Sequence, residues 1–210
     1  MKRFTIMLIL TVAVQSFVYA QVSAGPKVGV NRSKIYISNE YLDTKVGTGF
    51  HIGGFVKYDF PSFWSVQTEL VYAQQSSFVN LNISNYVGSI LPGTYSVISN
   101  YLHLPVLVKY NLGNTGFYLE AGPQAGFYLD SRYRFINKYV TIDLNEIISD
   151  EWNSVDFSVA GGLGYSFRNG LTFSIRYCHG LTNNFVSMKK IENKIRSAQL
   201  SLTYEFKIRH

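Results

Sequence analysis

The chain has 210 residues, a length that suits one domain, and a formal net charge of +6. Charged residues make up 15% and aromatic residues 16%, a balance that suits strands and membrane–water interfaces. Because no cluster of lysines and arginines stands out, we expect no nucleic-acid partner. The single cysteine, Cys178, excludes an internal disulfide.

The first twenty residues are predicted to be a cleavable signal peptide. Lys2 and Arg3 precede an apolar run, Phe4 to Val14, that is too short to span a bilayer as a helix. Val18-Tyr19-Ala20 then places compact residues where signal peptidase cleaves. We expect residues 1–20 to be removed, so that the domain covers residues 21–210 and begins at Gln21.

No later segment approaches twenty consecutive apolar residues, so the exported part of the chain has no predicted transmembrane helix. Two classes remain, a soluble exported protein and a β-barrel. Eight successive segments show period-two alternation of apolar with polar or small residues, the pattern of β-strands. In chain order they are 22–30, 50–58, 64–72, 102–110, 117–129, 155–167, 171–178 and 197–208.

The connections between these segments alternate in length. Short turns are predicted at 59–62, 111–116 and 168–170, where Asn169-Gly170 is a strong hairpin signal. Long polar segments occupy roughly 31–48, 76–97, 130–152 and 181–194, and a short helix is expected at 142–148. Short turns on one side and long loops on the other are typical of transmembrane barrels.

The predicted fold is therefore all-β. We expect an eight-stranded antiparallel up-and-down transmembrane β-barrel in the bacterial outer membrane, with short periplasmic turns and four long extracellular loops. Aromatic residues collect near the short turns, where a periplasmic girdle would lie, although strand propensity also favours them there. They are Tyr58, Phe60, Phe63, Trp64, Tyr110, Phe117, Tyr165, Phe167, Tyr204 and Phe206.

The polar face of the predicted strands carries charges of both signs among many small residues. An eight-stranded barrel has an interior just wide enough for side chains, so balanced charges on small-residue strands predict a packed lumen with paired ions. The alternative is that these charges are solvated on a soluble barrel. The predicted lumen charges are Lys27, Lys57, Glu69, Lys109, Glu120, Asp156, Arg176 and Glu205.

Six short motifs stand out along the predicted strands: Gly25–Asn31, Phe50–Phe55, Gln67–Tyr72, Tyr101–Tyr110, Glu120–Pro123 and Gly161–Tyr165. Their order and spacing resemble the PorT-like outer-membrane β-barrel family of Bacteroidota. The resemblance covers nearly the whole mature chain and implies an eight-stranded outer-membrane barrel. The family's founding member is tied to protein secretion, but most relatives have no assigned role, so secretion is not carried over.

The last strand also resembles the signal read by the barrel-assembly machinery. That signal is a polar residue, then a small one, then two aromatic residues spaced by two. Gln199, Ser201, Tyr204 and Phe206 match it, with serine where glycine is usual and with four residues after the last aromatic. The resemblance implies that this machinery is a partner during biogenesis.

No sequence pattern points to catalysis or to a cofactor. No His, Cys, Asp and Glu residues have metal-ligand spacing. His51 and His103 lie on the polar face, where either could meet a serine, but hydrogen-bonded lumen histidines are the commoner outcome. Cys178 is expected to be an inert thiol at the outer end of its strand.

Three functions remain open. The leading hypothesis is a non-enzymatic surface barrel in outer-membrane lipid, whose loops bind a protein or glycan ligand or serve envelope integrity. The second is an accessory subunit of a secretion or uptake machine, and the third is a lipid-modifying enzyme. A channel is disfavoured because eight strands enclose too little space.

Overall fold

The computed structural model describes residues 21–37, 42–81, 93–136, 141–143, 153–183 and 193–208. The predicted signal peptide lies outside these residues. Every regular element in the described ranges is a β-strand. The strands are β1 Gln21–Ile37, β2 Leu42–Asp59, β3 Trp64–Leu81, β4 Gly93–Asn111, β5 Phe117–Ile136, β6 Thr141–Asp143, β7 Val155–Ser166, β8 Leu171–Gly180, β9 Asn193–Tyr204 and β10 Phe206–Ile208.

The strands form one closed antiparallel sheet. Its order is β10-β1-β2-β3-β4-β5-β7-β8-β9, and the additional pairing of β1 with β9 closes the ring. β10 pairs with the first residues of β1 and continues β9 past Glu205, while β6 pairs only with the end of β5. Eight strands, with β9 and β10 counted as one, therefore form the wall, and the predicted eight-stranded antiparallel barrel is confirmed.

Three tight turns close one end of the barrel, as predicted. They span residues 60–63, 112–116 and 167–170. Gly116 and Gly170 both have a φ of +88°, which a residue with a Cβ rarely adopts. Gly170 also donates its N–H to the Phe167 carbonyl oxygen at 3.1 Å, so the Asn169-Gly170 signal does mark a hairpin.

Three of the four segments expected to be long loops contain several strand residues each. β1 continues to Ile37 and β2 starts at Leu42, so most of 31–48 belongs to the wall. β3, β4 and β5 likewise run into the segments 76–97 and 130–152. Once a strand leaves the lipid, both of its faces can be polar, so apolar alternation ends while backbone pairing continues. The predicted loops 31–48 and 76–97 were therefore too long at both ends, and 130–152 was too long at its start, whereas 181–194 overlaps a strand only at its last two residues.

The helix predicted at 142–148 is wrong where it can be checked. Residues 141–143 form β6, whose three residues pair with β5. The rest of that predicted helix lies outside the described residues. Within the described part of the chain, no helix has the length and apolar character needed to cross a membrane.

The two faces of the wall differ sharply in polarity. Apolar side chains point outward and are about half exposed, such as Leu70 at 54% and Phe157 at 52%, whereas the intervening Glu69 is 2% exposed and Asp156 6%. Phe55, Val71 and Leu107 break this pattern because they are apolar and point inward. The lumen is therefore a packed interior rather than a water-filled pore.

Aromatic rings line the end of the barrel that carries the short turns. Neighbouring rings contact each other with centroids 4.7–4.9 Å apart. The contacting pairs are Tyr58–Phe60, Trp64–Tyr110, Phe117–Tyr165, Tyr165–Phe167 and Tyr204–Phe206. Such a belt is typical of a membrane interface. In transmembrane barrels the short turns lie on the periplasmic side, so this end is assigned to the periplasm.

Candidate functional site

Five charged side chains meet in the middle of the lumen. They form the central ion network, which consists of Lys27, Glu69, Lys109, Glu120 and Arg176. Each side chain points inward because it alternates along its strand with the lipid-facing residues. Their relative exposures lie between 1% and 7%, so the network is shielded from solvent.

Glu69 is the acceptor at the centre of this network. Both of its oxygens bind the Arg176 guanidinium, at 2.8 and 2.9 Å, and Lys27 Nζ donates to Oε2 at 2.8 Å. Gln67 adds a fourth donor at 2.6 Å. A buried carboxylate needs such dense donation, since an unpaired charge in this environment is strongly destabilising.

Arg176 also links the network to its periplasmic half. Its Nε donates to Glu120 Oε1 at 2.7 Å, and Lys109 Nζ lies 3.6 Å from Glu120 Oε2. The Lys109 ammonium also lies 4.2 Å from the centroid of the Tyr118 ring, a cation–π contact. Tyr118 is 3% exposed and fills the lumen beside the ions.

The remaining predicted lumen charges lie away from this network. Lys57 pairs with Glu205 at 2.7 Å and with Asp59 at 3.2 Å, near the periplasmic mouth, where the side chains are 15–27% exposed. Asp156 lies towards the outer end of the barrel, where it accepts a hydrogen bond from Thr182 at 3.1 Å. The structure thus brings five of the eight predicted residues together and leaves Lys57, Glu205 and Asp156 apart from them.

A serine, a histidine and an asparagine form a buried chain above the ions. Asn31 Nδ2 donates to the Phe50 and Gln74 carbonyl oxygens, which turns Oδ1 towards His51 Nδ1 at 2.5 Å. Because Oδ1 can only accept, Nδ1 carries the hydrogen and Nε2 is free to accept from Ser201 Oγ at 2.9 Å. The three residues are hydrogen-bonded in the same sequence as the nucleophile, base and orienting group of a catalytic triad.

The Ser201–His51–Asn31 hydrogen-bonded series is closed off from any substrate. Ser201 is 2% exposed, and His51 and Asn31 are each 1% exposed. The backbone of Gly29 also packs against the His51 ring, since a Cβ there would lie 2.4 Å from Cε1. In the structure described, these three hydrogen-bonded side chains therefore link β1, β2 and β9.

His103 belongs to a second polar cluster on the same level. Its ring lies between the side-chain amides of Gln75 and Gln124, at 3.0 and 3.2 Å, and stacks on Tyr101 with a centroid distance of 5.5 Å. Cys178 is 3% exposed and 3.9 Å from Gln124 Oε1. The buried thiol is inaccessible, in keeping with the inert role expected for it.

An apolar cluster closes the outer end of the lumen, and the sequence reading missed it. The outer apolar cluster consists of Ile35, Val97, Tyr101, Tyr133 and Ile195, all at most 6% exposed. One signal was present in the sequence, since Ile35 keeps the inward parity of Lys27 and Asn31. The prediction of a loop at residues 31–48 makes no use of this parity.

Two closures therefore lie in series along the barrel axis, an ionic one and an apolar one. The cavity that lies between Gln75 and Ile195 measures only about 10 Å³, room for one water molecule at most. No group of three His, Cys, Asp or Glu residues in the described chain could hold a metal ion. The lumen chemistry thus suits a rigid plug.

The residues of the predicted assembly signal lie on both faces of β9 and its continuation β10. Gln199 and Ser201 point into the lumen, at 6% and 2% exposure, whereas Tyr204 and Phe206 point outward at 41% and 56%. Tyr204 and Phe206 contact each other in the periplasmic girdle, with centroids 4.8 Å apart.

Comparison with known families decides the class. The family described as outer membrane protein beta-barrel domain matches residues 5–186, most of the chain. The chain belongs to this family. Its location in the bacterial outer membrane follows, as the sequence predicted.

Solved structures agree with the fold of this family member. Ail, the attachment invasion locus protein of Yersinia pestis, is 14% identical and has a TM-score of 0.51, with 88% of this chain and 98% of Ail covered. Ail in complex with the heparin analogue sucrose octasulfate is also 14% identical, with a TM-score of 0.50 and coverage of 89% and 99%. At this identity the likeness concerns the fold alone. No curated protein matches the chain significantly in sequence.

Proposed function

We propose that this family member is a non-enzymatic surface barrel whose wall carries ligand-binding loops above the outer membrane. The carrying observation is the length of β1 to β5, which have 17–20 residues each. A strand needs only about 9–11 residues to cross a bilayer. The excess lies at the end opposite the short turns, so the wall continues outside the membrane.

The projecting wall is uneven, which supports a directed binding surface. β7, β8 and β9 have only 10–12 residues, so the wall is lower there than at β3, β4 and β5. In the sequence, residues 144–152 precede β7 and residues 184–192 join β8 to β9. A ligand that binds here would contact the side of the taller wall formed by β3, β4 and β5.

The packed lumen separates this proposal from a transport function. Arg176 and Glu69 close the centre, and Tyr101 and Tyr133 close the outer end. A rigid plugged wall is suited to holding loops in place and contributes to envelope integrity. The motif resemblance further supports a PorT-like barrel of Bacteroidota as the narrower assignment.

Cross-linking distinguishes loop-mediated binding from service in a secretion or uptake machine. A photo-crosslinking residue would be placed at position 86 or 188 in the outer connections, and at position 62 or 114 in the periplasmic turns, before outer membranes are solubilised. The proposal expects adducts with protein or glycan only from the outer positions. Adducts only from positions 62 and 114 would overturn it and favour a periplasm-facing accessory subunit.

A second candidate function, lipid-ester hydrolysis, is favoured by the Ser201–His51–Asn31 chain. In that reaction Ser201 Oγ would attack the ester carbonyl while His51 Nε2 takes its proton and returns it to the leaving alcohol, which leaves an acyl-serine. A water molecule deprotonated by His51 would then attack this acyl group, and the carboxylic acid would leave as Ser201 regains its proton. Asn31 would hold the imidazole in the required tautomer. The burial of Ser201 stands against this candidate, since the ester would need a path through the wall.

A fluorophosphonate probe tests the second candidate directly. The barrel in lipid nanodiscs would be incubated with the probe alongside Ser201→Ala and a lumen control, Ser174→Ala. The surface-barrel proposal expects no labelling of any of the three. Labelling of the native chain and of Ser174→Ala, but not of Ser201→Ala, would establish an enzyme instead.

A further inference from the structure

A patch of cations lies on the lipid side of the wall, where apolar residues would be expected to continue. The outer cation cluster consists of Arg32 and Lys34 on β1 and Arg196 on β9, with the rings of Tyr36 and Tyr177 beside them. These side chains share the outward face, because Lys34 pairs with Arg196 and Arg32 with Ala198 across the strands. Together they line a shallow groove of about 570 Å³.

The cluster has no compensating negative charge in the strands that carry it. β1, β8 and β9 contain no aspartate or glutamate. Lys34 and Arg196 are direct cross-strand partners, and like charges in that position repel each other. Arg196 lies over the Tyr36 ring at 4.6 Å, but its Nε is buried without a hydrogen-bond partner. An anion between these side chains would relieve both defects.

The height of the cluster on the wall identifies where that anion comes from. Arg196 lies eight residues above Tyr204 of the periplasmic girdle, which is roughly 20 Å along the membrane normal for strands tilted by about 40°. The apolar band of such barrels is about 25 Å tall. The cluster therefore lies at the upper border of the hydrocarbon, level with the headgroups of the outer leaflet.

The residues directly below the cluster are suited to acyl chains. Val30, Leu200 and Ile175 point outward and are 38–51% exposed. Outward positions of β1, β8 and β9 between the girdle and the cluster carry no charge. The groove thus combines a cationic upper part with an apolar lower part, the complement of an anionic lipid.

We propose that the outer cation cluster binds the phosphate group of a phosphorylated glycolipid in the outer leaflet. Arg196 and Lys34 hold the phosphate between them, since guanidinium and ammonium groups donate well to phosphate oxygens. Arg32 and the two tyrosines contact the sugar headgroup, and the acyl chains lie along Val30 and Leu200. This lipid site is separate from the loop-mediated binding proposed above.

Native mass spectrometry of the full-length barrel in a neutral detergent tests this site. The protein would be titrated with lipid A, with its dephosphorylated form, and with phosphatidylglycerol. The test variant is Lys34→Gln/Arg196→Gln. The matched control, Arg132→Gln/Arg134→Gln, removes the same charge from exposed positions higher on β5. A heat-dependent gel shift shows that each variant is folded, and Arg196→Gln alone provides a milder second variant.

The proposal expects the native barrel to bind lipid A more tightly than either other lipid. The test variant should lose roughly 10- to 30-fold in affinity for lipid A, and Arg196→Gln about 5-fold. The control should change less than about 2-fold. Equal binding of dephosphorylated lipid, equal binding of phosphatidylglycerol, or an equal loss in the control would each overturn the site. Displacement of lipid A by millimolar inorganic phosphate would overturn the lipid as its source.

Discussion

Arg176 holds Glu69 across the full width of the barrel, with hydrogen bonds of 2.8 and 2.9 Å. Arg176 lies on β8 and Glu69 on β3, and three strands lie between β3 and β8 in either direction around the ring. The two residues are therefore diametrically opposed. Their bidentate contact braces the wall from inside and blocks the lumen at the same point.

Removing one partner of this brace should destabilise the barrel strongly. In Arg176→Gln, Glu120 loses its short bond and keeps only Lys109 at 3.6 Å, while Glu69 keeps Lys27. A buried pair broken in this way typically costs about 3–5 kcal/mol. Equilibrium unfolding by urea in lipid vesicles measures that loss in the free energy of unfolding.

The matched control is the double variant Glu69→Gln/Arg176→Gln, in which no charge of the pair remains. We expect it to cost less than the sum of the two single substitutions by more than about 1 kcal/mol. Strict additivity would mean that the contact seen between these residues contributes nothing of its own.

The barrel should not conduct ions steadily in a planar bilayer. The central ion network and the outer apolar cluster lie in series, so either one alone keeps the lumen closed. We therefore expect Tyr101→Ala to stay closed as well, although it removes a ring that is fully buried. Single-channel recording is the measurement. A stable, reproducible conductance of the native chain would contradict the packed lumen.

Lipid contact should make substitutions on the outer face depend on depth. Leu200 lies midway between Tyr204 and Arg196, so Leu200→Lys places an ammonium near the centre of the hydrocarbon, at a cost of roughly 2–4 kcal/mol. Phe206→Lys, at the periplasmic interface, should cost at most about 1 kcal/mol. Unfolding in vesicles compares the two. Equal costs would show that Leu200 does not face lipid.

The mature protein should begin at Gln21. Signal peptidase is predicted to remove residues 1–20 during export, and an N-terminal glutamine readily cyclises to pyroglutamate. Intact-mass measurement on protein extracted from outer membranes tests this. A membrane fraction that retains Met1 would refute cleavage.

The sequence predicts most of the strands and which of their residues face lipid or the lumen. Leu202 and its neighbours Ser201 and Thr203 alternate in polarity because a strand inside a membrane has one lipid face and one lumen face. The same rule assigned Lys27, Glu69 and Arg176 to one side. The polarity of Ile35 and Phe55 would turn them towards lipid, but their spacing from Asn31 and His51 places them on the lumen face, where the structure has them.

The sequence by itself determined the eight strands, their facing and the positions of the short turns, since each of these depends on local periodicity and on turn residues. Only the tertiary structure decided which lumen residues meet. Glu69 and Arg176 are 107 positions apart, and Ser201 and His51 are 150 apart. Closure of the ring and the stagger between its strands set those contacts, and no local pattern encodes them.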